Sequence, residues 1–189
     1  MLPSLSGPVH LAVGGGCGGT TFALQYARSA LSEGMHVAWI CDEFPDSDRF
    51  SQMFEEVSPI AVSKLHLIAV GENTAKGIQS AISLLNVLSN ISLIVVDDWT
   101  PKSGRVNSNI QTEMITLMES CVECEVDFLA ISSAYEDAAG GGWKSRGKLG
   151  DTPVWFLHRD EIDSMMRELH LPEQVLKLEI GDSGFTPRK

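Results

Sequence analysis

The sequence predicts a three-layer α/β fold, a mostly parallel sheet with helices on both faces and an antiparallel edge at its C-terminal end. Three observations predict it. Short β-branched runs alternate with longer helical stretches about four times along the chain, the order that parallel strands joined by crossover helices require. Residues 92–96 form a nearly unbroken apolar run, the signature of a strand covered on both faces. The first strand also runs directly into a glycine cluster that opens a helix.

Val9–Val13 reads as that first strand, followed by Gly14, Gly15, Gly16, Cys17, Gly18 and Gly19. From Thr20, the apolar residues Phe22, Ala23, Tyr26, Ala27, Ala30 and Leu31 recur at helical spacing, and Gly34 is placed to end the helix. Val37–Cys41 is the second strand, Asp46 caps a helix reaching Val57, and Leu65–Val70 is the third strand. Ile78–Leu88 is helical, with Leu84, Leu85, Val87 and Leu88 read as core. Ser92–Val96 is a strand, Ile110–Cys124 a helix and Phe128–Ile131 another buried strand. Ala138–Gly150 is glycine-rich with interspersed Lys and Arg and reads as a mobile loop. Val154–Leu157 and Val175–Ile180 read as final strands paired antiparallel at one edge, and Met165, Met166 and Leu169 as an edge that meets a partner. With no internal repeat or linker, a single domain over residues 1–189 is expected.

Composition bounds the function. The 189 residues are 43% hydrophobic and 21% charged, values that exclude disorder as the global state. Against 25 Asp and Glu stand only 14 Lys and Arg, a formal charge of −11. This excludes coating nucleic acid by bulk charge and confines any such contact to a local basic patch. Four cysteines make no disulfide scaffold, so a cytoplasmic location is expected. No stretch approaches the roughly 18 apolar residues of a membrane span, and residues 1–7 lack a basic leader segment. No membrane partner is expected.

A strand, a glycine-rich turn and a helix beginning Thr-Thr is the layout of a phosphate-binding loop. Glycines let successive N–H groups point inward, and the helix N-terminus adds positive potential. Such loops also place a Lys on the β/γ-phosphates and a Ser or Thr hydroxyl on Mg²⁺. Residues 13–21 read VGGGCGGTT. In one register Gly19 takes the lysine position and Val13 that of the first glycine; in the other, Thr20 takes the lysine position. Neither supplies the cation, and its loss removes much of the transition-state stabilisation of phosphoryl transfer. A backbone nest alone still holds an anion.

Taken in order, these segments resemble the RecA superfamily. Residues 16–27, from Gly16 to Ala27, resemble the Walker A segment and first helix of RecA-fold ATPases, especially the RadA/RadB recombinase and KaiC-like branches. The segment from Val37 to Glu43 is similar to the family's second strand, which ends in an acidic residue that activates water; Glu43 matches it. The segment from Leu93 to Asp97 is similar to the Walker B strand, whose terminal Asp orients Mg²⁺; Asp97 matches it. Leu171 to Phe185 is similar to the C-terminal strand and turn of RadA-like recombinases. The resemblance thus spans nearly the whole chain. It implies a RecA-like core without the recombinases' N-terminal DNA-binding module, and a degenerate Walker A. It implies Glu43 and Asp97 as catalytic residues, Thr20 and Asp97 as Mg²⁺ ligands, and Gly16, Cys17, Gly18, Gly19, Thr20 and Thr21 as the cofactor-binding loop. ATP with Mg²⁺ is the implied cofactor, an empty loop its alternative.

Five of the 14 basic residues fall in two short stretches, Lys102 with Arg105 and Lys144 with Arg146 and Lys148. Both follow strands, at the sheet edge where the family's two DNA-facing loops emerge. Trp143 beside the second stretch suits stacking on a base. These six residues are the expected contacts to single-stranded DNA, and such contacts weaken with salt; solubilising cations and a packed Trp143 are the alternative. Cys121 and Cys124 form a lone C-x-x-C without a second pair, read as helical thiols. The five histidines are scattered without metal-ligand spacing, and Asp42, Glu43, Asp46 and Asp48 alone do not make a glycosidase pair. The expected function is that of a non-hydrolysing or weakly active recombinase paralogue. It would act as an accessory or mediator in DNA repair and homologous recombination, with a RecA/RadA-like subunit or copies of itself and single-stranded DNA. The rivals are a weak ATPase of the same fold and a KaiC-like signalling or motility regulator that binds no DNA.

Overall fold

The structure is a computed structural model describing residues 2–5, 7–71, 73–137, 140–160 and 162–188. The parallel part follows the expected order: β1 (Pro8–Val13), α1 (Gly19–Ser32), β2 (His36–Cys41), α2 (Ser47–Phe54), α3 (Pro59–Val62), β3 (Leu65–Ala69), α4 (Thr74–Val87), β4 (Ile91–Asp97), α5 (Ser108–Glu123) and β5 (Asp127–Glu136). Then come β6 (Trp143–Ser145), β7 (Val154–Arg159), β8 (Met166–His170), β9 (Val175–Gly181) and β10 (Gly184–Arg188). The strands form one sheet in the order β10-β9-β8-β7-β1-β5-β4-β2-β3, with β6 added to the end of β5. From β7 to β3 all pairings are parallel, and from β7 outward to β10 all are antiparallel.

Alternation along the strands divides the core into two layers. Val9, Leu11, Val37, Trp39, Leu93, Val95, Leu129 and Ile131 face α1, which contributes Phe22, Ala23, Leu24, Ala27 and Leu31. Ala38, Ile40, Ile94, Val96, Phe128 and Ala130 face α4 and α5, which contribute Ile78, Ala81, Met114, Leu117 and Cys121. The helices start where local chemistry stops extended chain. Asp46 accepts a hydrogen bond from the Arg49 N–H at the start of α2, and Asn73 one from the Lys76 N–H at the start of α4.

The C-terminal half differs from the sequence reading. Residues 154–157 and 175–180 are strands but not neighbours; β8 lies between them. Leu169 of β8 is fully buried in the α1 layer and so belongs to the core, not to an exposed edge, whereas Met165 is exposed. The helix after Asp46 ends at Phe54, short of Val57. The stretch read as a loop, apart from residues 138 and 139, which lie outside the described residues, contains β6 and buried Leu149, and Gly147 sits flat against the Trp99 indole.

One contact ties the sheet's far end to α1. Gln25 donates through Nε2 to the Phe185 carbonyl at 3.0 Å and accepts from the Phe185 N–H at 2.8 Å. Its amide thereby serves the backbone of β10 as a neighbouring strand would.

Candidate functional site

An open cleft of about 730 Å³ lies at the C-terminal ends of β1, β2, β4 and β5, where parallel sheets gather their ligand-binding loops. Residues 13–21 form its floor, and Glu43, Asp97 and Lys102 line its walls. The glycine loop leaves β1 with Gly14 donating to the Leu157 carbonyl at 2.9 Å, and Cys17 donates back to the Gly14 carbonyl at 3.1 Å. Gly18 is the N-cap of α1 at φ +90°, a left-handed backbone that favours glycine. A Cβ there would also lie 2.9 Å from Ile180 and 3.1 Å from Phe185, so the β9–β10 hairpin closes over this turn.

α1 begins at Gly19, directly before the Thr20–Thr21 pair. A Cβ on Gly19 would lie 2.9 Å from Val13 Cγ2 and 3.1 Å from Ile131 Cγ2. Val13 thus fills the space beside Gly19.

Asp97, at the end of β4, is buried, and its carboxylate accepts a hydrogen bond from Thr20. Burial raises its pKa from 3.8 to about 6, with the Thr20 bond opposing and Asp98 adding to the rise. Glu43 lies exposed in the loop after β2, on the cleft wall. Cys17 and Cys41 in the cleft are held as thiols, Cys41 pushed up to about 11 by burial and by Asp97 and Asp42. The expected loop residues, Glu43 and Asp97 therefore share one cavity. Arg49, which sequence reading missed, joins them. Its Nε donates to Thr21 Oγ1 at 3.0 Å, and its two terminal nitrogens donate to the carbonyls of Asp182 and Gly181 at 3.0 and 2.8 Å.

The six residues expected to face DNA sit in different surroundings. Lys102 is exposed on the wall of the cleft itself. Arg105 and Arg146 line a separate pocket of about 290 Å³ with Tyr135 and Gln111. There Arg146 lies 5.0 Å over the Tyr135 ring and donates to the Gly104 carbonyl at 3.3 Å. Lys144 pairs with Asp137 at 2.5 Å, and Lys148 is exposed. Trp143 is half-buried, stacked on His158 at 5.0 Å between ring centroids and lying over Gly14 of the loop. Its stacking surface is used at least in part within the protein. Cys121 is buried, its thiol pushed up to about 12 by burial, while Cys124 is exposed.

No family model and no curated protein sequence matches the chain. Solved structures do. The RadB recombinase superposes with a TM-score of 0.76 at 18% identity, over 96% of this chain and 90% of that one. A KaiC-like protein of the hyperthermophilic archaeon Pyrococcus horikoshii OT3 superposes with a TM-score of 0.70 at 17% identity, over 97% of this chain and 90% of that one. The fold is RecA-like. At such identities the likeness establishes the architecture. Among the described residues no helix is long and apolar enough to cross a membrane.

Proposed function

We propose that this RecA-like chain is a non-hydrolysing accessory subunit of the recombinase type. It would act in DNA repair and homologous recombination with a RecA-like partner or copies of itself, and contact single-stranded DNA through its basic loops. The carrying observation is the closed space at Gly19. The position before Thr20 lacks a lysine, and Val13 and Ile131 occupy the room its Cβ would need. Arg49 is the nearest cation to Thr21, yet its guanidinium is held by the carbonyls of Gly181 and Asp182. A transferring phosphoryl group would lack the lysine such loops aim at it, and that positive charge dominates such catalysis; the other cations at the cleft, Lys102 on its wall and Arg159 beside Gly16, come from outside the loop.

Binding without turnover is a separate matter, and the cleft fits it. Buried Asp97 bonded to Thr20 is a donor pair suited to Mg²⁺, and the N-terminus of α1 behind the glycine turn suits a phosphate. ATP with Mg²⁺ would be held by Gly16, Cys17, Gly18, Gly19, Thr20 and Thr21, with Asp97 on the metal. The magnesium would supply charge neutralisation at the phosphates. Glu43 would stand at the cleft wall where a water is positioned. A KaiC-like regulatory role shares this architecture and needs no DNA.

Calorimetric titration with Mg-ATP, together with phosphate release, tests the reading. Binding with no turnover, or no binding, supports it; turnover that Glu43→Gln abolishes overturns it in favour of a weak ATPase. Single-stranded DNA binding at low salt that is lost on joint substitution of Lys102, Arg105, Arg146 and Lys148 by Ala supports the recombinase setting. Its absence at low salt favours the regulatory role.

A further inference from the structure

The histidines that look scattered in sequence are not scattered in space. His158 of β7 stands directly opposite Glu168 of β8, and His170 follows two residues along the same strand, hence on the same face. That face is opposite the one through which Trp155, Leu157 and Leu169 enter the core. One ligand atom from each of His158, Glu168 and His170 lies within 4.8 Å of the other two. His170 Nε2 is 3.1 Å from Glu168 Oε2, and His158 Nε2 is 3.9 Å from the same oxygen.

From this arrangement we infer that His158, Glu168 and His170 bind a divalent transition-metal ion of the zinc class. The spacing fits. Tetrahedral zinc, with bonds of about 2.0–2.1 Å, sets its donor atoms roughly 3.3 Å apart; two of the three separations, 3.1 and 3.9 Å, lie on either side of that edge and the third is within 4.8 Å. Two imidazoles and a carboxylate are a donor set that zinc takes.

The surroundings orient the donors. His158 Nδ1 lies 3.2 Å from the Arg159 carbonyl. A carbonyl only accepts, so Nδ1 carries the proton and Nε2 presents a lone pair. That Nε2 is buried and has no hydrogen-bond partner. It faces a carboxylate oxygen 3.9 Å away, a pair of ligand atoms that one bound cation would satisfy together. Histidine ligands are commonly fixed in this way through the other ring nitrogen. Glu168 is oriented too: Oε1 lies 3.8 Å from Lys177 Nζ, leaving Oε2 to the histidines, while Asp160 holds that lysine at 3.1 Å. Trp143 stacks on His158 and fixes the ring plane. The His170 side chain is 40% exposed, so a fourth position on that side is open to water. The ion would pin β7 to β8 and steady Trp143, which lies over Gly14 of the glycine loop.

The experiment uses the full chain, freed of metal by chelator and titrated with Zn²⁺ by calorimetry, then with Co²⁺ by visible absorption. The expected result is one equivalent of Zn²⁺ and the intense visible bands of tetrahedral Co²⁺. His170→Ala and Glu168→Gln, both at partly exposed positions, should each weaken binding by about a hundredfold, the upper end of the loss seen even for outer-shell partners. Circular dichroism of both variants keeps the result separate from misfolding. His36→Ala/His66→Ala removes the stacked pair on β2 and β3 and should leave binding unchanged. No stoichiometric Zn²⁺ binding, binding unaltered by both ligand variants, or binding lost with His36 and His66 overturns the assignment.

Discussion

His10 lies in the middle of the sheet with no exposed surface, its Nε2 2.6 Å from Ser132 Oγ and its Nδ1 without a hydrogen-bond partner. Protonation would bury a charge and leave an unpaired Nδ1–H, so burial lowers its pKa from 6.5 to about 4. The unfolded chain therefore binds the proton more readily, and stability is lost as pH falls from 6.5 towards 4. Between pH 7.5 and 5 that loss is about 2 kcal/mol. Asp97 works in the opposite direction. Its folded pKa of about 6 against 3.8 means the native state takes up the proton first, and over the same interval it returns about 1 kcal/mol. The two partly offset, leaving the wild type a net loss of about 1 kcal/mol from these groups, so its profile alone does not separate them. His10→Gln keeps a polar partner for Ser132 and stays neutral throughout. Urea unfolding at pH 7.5 and 5 should show this variant gaining about 2 kcal/mol relative to wild type on acidification, whatever its absolute stability. Equal pH dependence in the two proteins would refute the argument.

Other consequences are open to the same measurement. Asp97→Asn keeps an acceptor for Thr20 but removes the buried charge, and should stabilise the protein at pH 7.5 by up to about 3 kcal/mol, an advantage that shrinks towards pH 4; destabilisation at pH 7.5 would contradict the burial argument. Gly19→Lys should destabilise by about 1–3 kcal/mol through crowding against Val13 and Ile131. Adding Val13→Gly should recover part of that loss, as a lowered and then partly restored urea midpoint, whereas strict additivity of the two substitutions would show that the residues do not share the space.

Much of the fold is legible because the parallel strands are apolar on both faces and the helices keep a clear period. The parts that are not legible each break a rule for a physical reason. In β8, Arg167 occupies a core-facing position beside Leu169; its buried guanidinium is satisfied by the carbonyls of Cys17, Ser164 and Met166. A charge there masks the alternation. β10 contains Pro187, which reads as a strand breaker but is tolerated at an edge, and β6 is only three residues long. The same logic divides the site. The glycine loop, Glu43 and Asp97 are readable because each ends or directly follows a strand, and parallel strands bring their ends together. Arg49 reaches the loop from α2, a neighbouring helix, and His158, Glu168 and His170 meet only through antiparallel register. Neither is visible before the pairing is known, although Glu-x-His on a strand does place two donors on one face.

The Gln25 clasp on Phe185 bears on how this molecule resists unwanted association. A terminal strand of a sheet is a template for other strands, and proteins blunt it with prolines or by covering its free peptide groups. On β10 both devices are present: the Phe185 N–H and carbonyl are already taken by a side-chain amide, and Pro187 has no N–H to offer. A second strand arriving there would have to displace Gln25 and would still find a gap in the ladder two residues on. Strand addition is thus discouraged at this end of the sheet by one glutamine and one proline, so Gln25→Ala is a substitution to avoid when the protein is concentrated.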